Sequence, residues 1–147
     1  MSEQSRNAFM PREEQIEKMV SRRQMTIGMP RDIRDNEKRI ALTPEAVRIL
    51  TDAGNEVLIE PSAGLGASFP DSDYSDNGAM VADTAQKVYE CDMVVKIAPF
   101  NRKEAGLLKG NQVVISFMNA ATMDEEALSM MMRKRITALA CEKIRDT

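Results

Sequence analysis

A chain of 147 residues with 43% hydrophobic and 29% charged residues is long enough to bury a core of its own and is composed like an ordinary globular domain. Its net charge of −3 gives no electrostatic case for nucleic acid or an anionic membrane, and no apolar run approaches the roughly 20 residues that span a bilayer. With no histidine and only Cys91 and Cys141 as cysteines there is no zinc-ligand spacing, so no metal is expected and both thiols read as free, packed residues of a cytoplasmic protein.

Residues 1–24 read as an extension. Met1 to Ala8 is polar, and Pro11 to Val20 reads as a helix with Ile16, Met19 and Val20 on one face, packed on the body or on a second subunit. The segment lacks the apolar centre of a signal peptide, and Glu13, Glu14 and Glu17 argue against a transit peptide. From residue 25 onward, short apolar runs alternate with helical patterns. Strands are predicted at Met25 to Met29, Glu56 to Glu60, Met93 to Ile97, Gln112 to Phe117 and Ile136 to Cys141. Helices are predicted at Pro44 to Ala53, Asp83 to Tyr89, Lys103 to Leu108 and Asp124 to Arg133, the first capped by Thr43 and closed by Gly54. Such short strand-helix-strand links imply parallel pairing and right-handed crossovers, hence an open α/β sheet.

Four constellations carry candidate chemistry. Arg31, Arg34, Lys38 and Arg39 lie among Asp32, Asp35 and Glu37, and such a run is ordinarily a solvated face. Arg39 differs: Ile40-Ala41-Leu42 follows at once and draws it toward the body, and a planar guanidinium holds a small carboxylate by two parallel hydrogen bonds. Lys96 ends the apolar run Met93-Val94-Val95. Either it snorkels its amine to water, or it is a partly desolvated ammonium that exchanges a proton with a carbonyl oxygen. Gly64-Leu65-Gly66 lacks the third glycine and the helix of a dinucleotide fingerprint, since Pro70 interrupts, and reads as a flexible loop. The turn Met118-Asn119-Ala120-Ala121-Thr122 follows the strand Val113 to Phe117, and the Met130-Met131-Met132 run reads as adaptable packing.

The run from Met29 to Pro44, with Asn36-Glu37-Lys38-Arg39-Ile40-Ala41-Leu42-Thr43-Pro44 at its heart, resembles the opening of the alanine dehydrogenase and nicotinamide nucleotide transhydrogenase α-subunit family. The resemblance continues through Gly64-Leu65-Gly66-Ala67-Ser68, Asp92 to Lys96 and Ile136 to Glu142, covering residues 25–147. It implies a three-layer, mostly parallel α/β sheet with helices on both faces, Rossmann-like or flavodoxin-like, as the substrate-side domain of an oxidoreductase using NAD(H) or NADP(H). The implied roles are Arg39 on the carboxylate of a 2-oxo acid such as pyruvate and Lys96 on its keto oxygen, the latter as the catalytic group. The resemblance further implies a homo-oligomer, and a second, nucleotide-binding domain absent from this chain, so that no cofactor-binding residue is expected here.

Met118 falls where typical alanine dehydrogenases carry a catalytic histidine, and methionine shuttles no proton. Lys143-Ile144-Arg145-Asp146 stands where a transhydrogenase has a Pro-Arg-Ile-Ser-Arg-like run, which favours an alanine dehydrogenase. A transhydrogenase or saccharopine-type dehydrogenase domain is the alternative within the class. A non-catalytic binding or assembly module is the alternative outside it, supported by the missing histidine and opposed by the presence of both Arg39 and Lys96.

Overall fold

The computed structural model describes residues 24–34 and 36–145. The helix expected over Pro11 to Val20 lies outside the described residues.

In chain order the elements are β1 (Thr26–Met29), α1 (Pro44–Asp52), β2 (Glu56–Ile59), α2 (Asp71–Asp76), β3 (Met80–Val81), α3 (Ala85–Tyr89), β4 (Met93–Val95), α4 (Arg102–Leu107), β5 (Val113–Ser116), α5 (Glu125–Arg133) and β6 (Thr137–Ala140). Single 3-10 turns cover Leu65–Ala67 and Cys141–Lys143. The strands form one sheet in the order β3-β2-β1-β4-β5-β6, and every neighbouring pair is parallel. That is the strand order of a doubly wound Rossmann sheet.

Alternation along the strands sorts side chains onto two covered faces. Ile27 and Met29 of β1 pack with Val57, Ile59, Val47 of α1 and Tyr74 of α2 in one core. Val94 and Val114 pack with Tyr89, Phe100, Ala105 of α4, and Ala127 and Met131 of α5 in the other. Between Ile27 and Met29, Gly28 faces α3, where an added Cβ would lie 2.2 Å from the Val88 carbonyl oxygen. The close seat of α3 on β1 therefore requires glycine.

The helix starts are chemically specified. Thr43 Oγ1 accepts from Ala46 N at 3.2 Å, with Pro44 opening α1. Asn101 and Glu104 form a reciprocal capping box on α4, and Asp124 Oδ1 accepts from Ala127 N at 2.9 Å on α5.

Two elements escape the sequence patterns. The helix α2 begins directly after Pro70, which stops a helix running through it but suits the residue ahead of one. The two-residue edge strand β3 is exposed along its length, so no apolar alternation marks it. Among the described residues no helix is long and apolar enough to cross a membrane.

Candidate functional site

The connection after β1 runs to β2 on one side, and that after β4 runs to β5 on the other, so β1 and β4 flank the topological switch point. In open α/β sheets ligands bind outside the carboxyl ends of the strands at such a point. Here a narrow crevice lies between the two connections, lined by Met29, Pro30, Asp32, Arg39, Ile40, Ala41, Ala63, Lys96 and Ile97, with room of about 10 Å3. That is space for one water molecule. Asp32 ties its two walls together: Oδ2 accepts from Ala98 N at 3.1 Å and Oδ1 from Arg34 N at 3.4 Å.

Arg39 is not drawn inward as its apolar neighbours suggest. Ile40, Ala41 and Leu42 pack against the core of β1 and β2, while the Arg39 side chain remains 66% exposed. The reason is Glu37. Its carboxylate accepts from Arg39 Nε at 2.9 Å, Nη2 at 2.8 Å and the Arg39 backbone N–H at 3.0 Å. This closed ring, led by the side-chain hydrogen bond, holds the Glu37 carboxyl down at about 2 and raises the Arg39 guanidinium above its ordinary value. The guanidinium carbon sits 5.6 Å from the centroid of the Phe117 ring, at the end of β5.

Lys96 does not snorkel. It follows β4 by one residue, shares the face of Val94 two residues before it, and is 3% exposed. Its Nζ donates to Glu104 Oε1 at 2.5 Å and lies 5.3 Å from the Phe100 ring centroid. Tyr89 Oη donates to the same Glu104 oxygen at 3.1 Å, while Oε2 accepts from Asn101 N at 2.8 Å. Burial, with Glu104 beside it, pushes the Tyr89 phenol well above its usual value, so it remains a donor. The Glu104 carboxylate is thus hydrogen-bonded at both oxygens, which helps a buried ion pair to repay its desolvation. The ammonium retains two further N–H groups beyond the one given to Glu104.

The glycine loop is packed against its surroundings, not left flexible. An added Cβ on Gly66 would lie 3.2 Å from Lys38 Cα, so this glycine lets the loop after β2 support the backbone that carries Glu37 and Arg39. Met118 points away from the crevice into the α4–α5 core, 6% exposed, where its Sδ accepts from Ser116 Oγ at 3.1 Å. The next residue, Asn119, has φ 40° and lines a cavity of about 350 Å3 with Arg34, Asn101, Phe117 and Thr122. Glu142 Oε2 and Oε1 accept from the backbone N–H groups of Met118 and Asn119 at 3.1 and 2.8 Å, pinning this turn.

Sequence reasoning singled out Arg39 and Lys96 but not the carboxylates that hold them. The Asn101-x-x-Glu104 capping signature marks Glu104, and Glu37 stands inside the Asn-Glu-x-Arg motif. Nothing local marks Phe117 as the platform under Arg39.

These features define an α/β domain of Rossmann order with two cationic side chains at the switch point. Residues 28–147 match the family described as alanine dehydrogenase/PNT, N-terminal domain, and the chain belongs to that family. The alanine dehydrogenase of Staphylococcus epidermidis is 32% identical over 120 residues, which are 82% of this chain and 32% of that protein. The alanine dehydrogenase of Staphylococcus saprophyticus is 31% identical over the same share of each. Among solved structures, an L-alanine dehydrogenase superposes with a TM-score of 0.74 at 38% identity, covering 79% of this chain and 32% of the other. A transhydrogenase from Sinorhizobium meliloti superposes with a TM-score of 0.76 at 30% identity, covering 83% and 36%. The chain spans about a third of the length of these relatives.

Proposed function

We propose that this chain is the substrate-side domain of a cytoplasmic NAD(P)-dependent amino-acid dehydrogenase of the alanine dehydrogenase type. In this reading it works on the L-alanine/pyruvate pair within a homo-oligomer. The observation that carries the reading is that Arg39 and Lys96, the basic residues that border the switch-point crevice among the described residues, come from the two connections that diverge there. Arg39 binds the carboxylate of the 2-oxo acid. Lys96 donates one of its remaining N–H groups to the keto oxygen and polarises it, with Glu104 keeping the ammonium in place. A three-carbon acid does not fit the present crevice, so binding separates its walls, and the contact that yields is the Asp32 bridge between them.

The described residues do not fit a dinucleotide. Gly64 and Gly66 are packed against Tyr74 and Lys38 instead of opening a phosphate cradle, and the nicotinamide cofactor is assigned to a second domain.

Pyruvate titrated into the isotope-labelled chain tests the site. Saturable shifts at Arg39 and Lys96, lost in Arg39→Gln and in Lys96→Met, are the expected result. Unchanged spectra at tens of millimolar pyruvate would remove the reading. They would favour the transhydrogenase alternative, which the superposition at a TM-score of 0.76 supports and which needs no 2-oxo acid.

A further inference from the structure

A guanidinium has five N–H groups arranged as two usable forks, one formed by Nε with Nη2 and one by Nη1 with Nη2. On Arg39 the first fork is filled. Glu37 Oε1 takes the Nε–H at 2.9 Å and Oε2 takes one Nη2–H at 2.8 Å, while the Arg39 backbone N–H also donates to Oε1. Among the described residues no other side chain accepts from this guanidinium, so the Nη1/Nη2 fork retains its donors on a side chain that is 66% exposed. The Phe117 ring lies under the guanidinium, 5.6 Å from its carbon to the ring centroid. The Glu37 carboxylate and the Phe117 ring meet the group from different directions, and the Nη1/Nη2 edge is the one that no acceptor occupies among the described residues.

From this geometry we infer that Glu37 and Phe117 are positioning residues that set the Arg39 guanidinium so that its Nη1/Nη2 edge, and not its Nε edge, receives a ligand carboxylate. The inference rests on the carboxylate-binding reading of Arg39 given above. Glu37 is not a competitor for the ligand. It is tethered two residues away and 13% exposed, so a free carboxylate does not displace it at an ordinary concentration, and the ligand takes the edge that remains. The arrangement moves the ordering of a long, flexible side chain from the binding event to folding, which is how preorganisation strengthens binding. Asp32 and Arg34 are the other charged groups facing the pair, acting on Arg39 and Glu37 respectively, and the Glu37 carboxyl stays ionised at any pH near neutrality.

The test is side-chain nitrogen NMR on the 147-residue chain with labelled arginine, with pyruvate as the probe. In the wild-type chain the Arg39 Nε–H is expected as a sharp, slowly exchanging resonance that pyruvate leaves in place while it shifts the Nη signals. Glu37→Gln should broaden the Nε–H and weaken pyruvate about three- to tenfold, the ordering cost of one long side chain now falling on the ligand. Phe117→Leu should weaken it about two- to fivefold. The melting temperature of Glu37→Gln should move little, because the glutamine keeps an acceptor oxygen for the Arg39 backbone N–H and Arg39 itself is mostly exposed. Pyruvate binding that Arg39→Gln abolishes but Glu37→Gln leaves intact or tightens overturns the positioning role alone, as does a ligand-induced shift confined to Nε. A wild-type chain with a locked Nε–H that ignores pyruvate overturns the carboxylate site, and the positioning role with it.

Discussion

At the scale of single residues, the two cations that border the crevice are held in opposite ways. Arg39 is a surface group fixed by a neighbour two positions away, while Lys96 is an interior group fixed by α4 and α3 together. Both stood out in the sequence because a charged residue beside an apolar run is conspicuous, and the roles proposed for them come from the family resemblance. The pairing of Lys96 with Glu104 was not legible, since it forms only after β4, α3 and α4 pack, with Tyr89 donating to the same Glu104 oxygen. The difference sets different costs. Removing one member of a buried pair leaves the other charged and unmatched, a loss of about 3–5 kcal/mol. Lys96→Met is therefore expected to lower the melting temperature strongly, and the double variant Lys96→Met/Glu104→Gln to recover a good part of it. Calorimetry of the single and double variants checks this, and a double variant no more stable than the single would show that Glu104 is not the charge left stranded. Met118 gives a second test. Its side chain packs in the α4–α5 core with Ser116 Oγ as its hydrogen-bond partner, so Met118→His leaves at least one imidazole nitrogen buried and unpaired and should destabilise by about 1–3 kcal/mol. Asn119→His, on the cavity side of the same turn, should be tolerated. Thermal melts of the two variants separate the expectations. Met118, where the resemblance expects a histidine, thus lies in the core, and the next residue, Asn119, lines the cavity.

At the scale of elements, two charged side chains hold secondary structure where helix or strand ends leave backbone groups open. Lys134, at the end of α5, donates from Nζ to the carbonyls of Ala105, Gly106 and Leu108 at 3.0, 2.7 and 2.6 Å. These are among the carbonyls that a helix C-terminus leaves without an internal partner, and a cation there also meets the negative end of the helix dipole. Lys134→Met should cost about 1 kcal/mol and speed amide exchange across α4, the short helix that carries Glu104. Unchanged exchange in α4 would mean that the capping box alone holds it. Glu142 works on the turn after β5. Hydrogen bonds from its own backbone N–H and then from those of Asn119 and Met118 lower its carboxyl below the usual range. A depressed carboxyl contributes stability that is present above its unfolded value and is lost as pH falls through its lower folded value. The amide shifts of Met118 and Asn119 should accordingly hold steady through the ordinary glutamate range near pH 4 and move only at lower pH. Movement at the ordinary value would show that the clamp does not form in solution.

At the scale of the whole molecule, the fold was legible where apolar runs of four or more residues met a cap or a glycine, as at β1, α1, β2 and β5. It was not legible at β3 and α2, a two-residue edge strand and a six-residue polar helix that are specified by their neighbours, not by their own pattern. The same distinction governs the cofactor. The strand order is that of a Rossmann sheet, but order alone does not bind a dinucleotide. That takes a tight glycine turn carrying the chain from β1 straight into a helix whose N-terminus meets the pyrophosphate. Here the connection runs from Pro30 to Thr43 without a glycine, carries the charged run, and delivers a helix that opens on Pro44 with the Ala46 N–H capped by Thr43. The one Gly-x-Gly of the chain follows β2, and its glycines admit Tyr74 and the Lys38 backbone instead of opening an α-helix. The 147-residue chain is therefore expected to give no saturable heat with NAD+, NADH or NADPH in calorimetric titrations at millimolar concentration. Binding in the micromolar range would mean that the loop from Glu60 to Phe69 opens away from Tyr74 and Lys38, and the assignment of the cofactor to a second domain would fall.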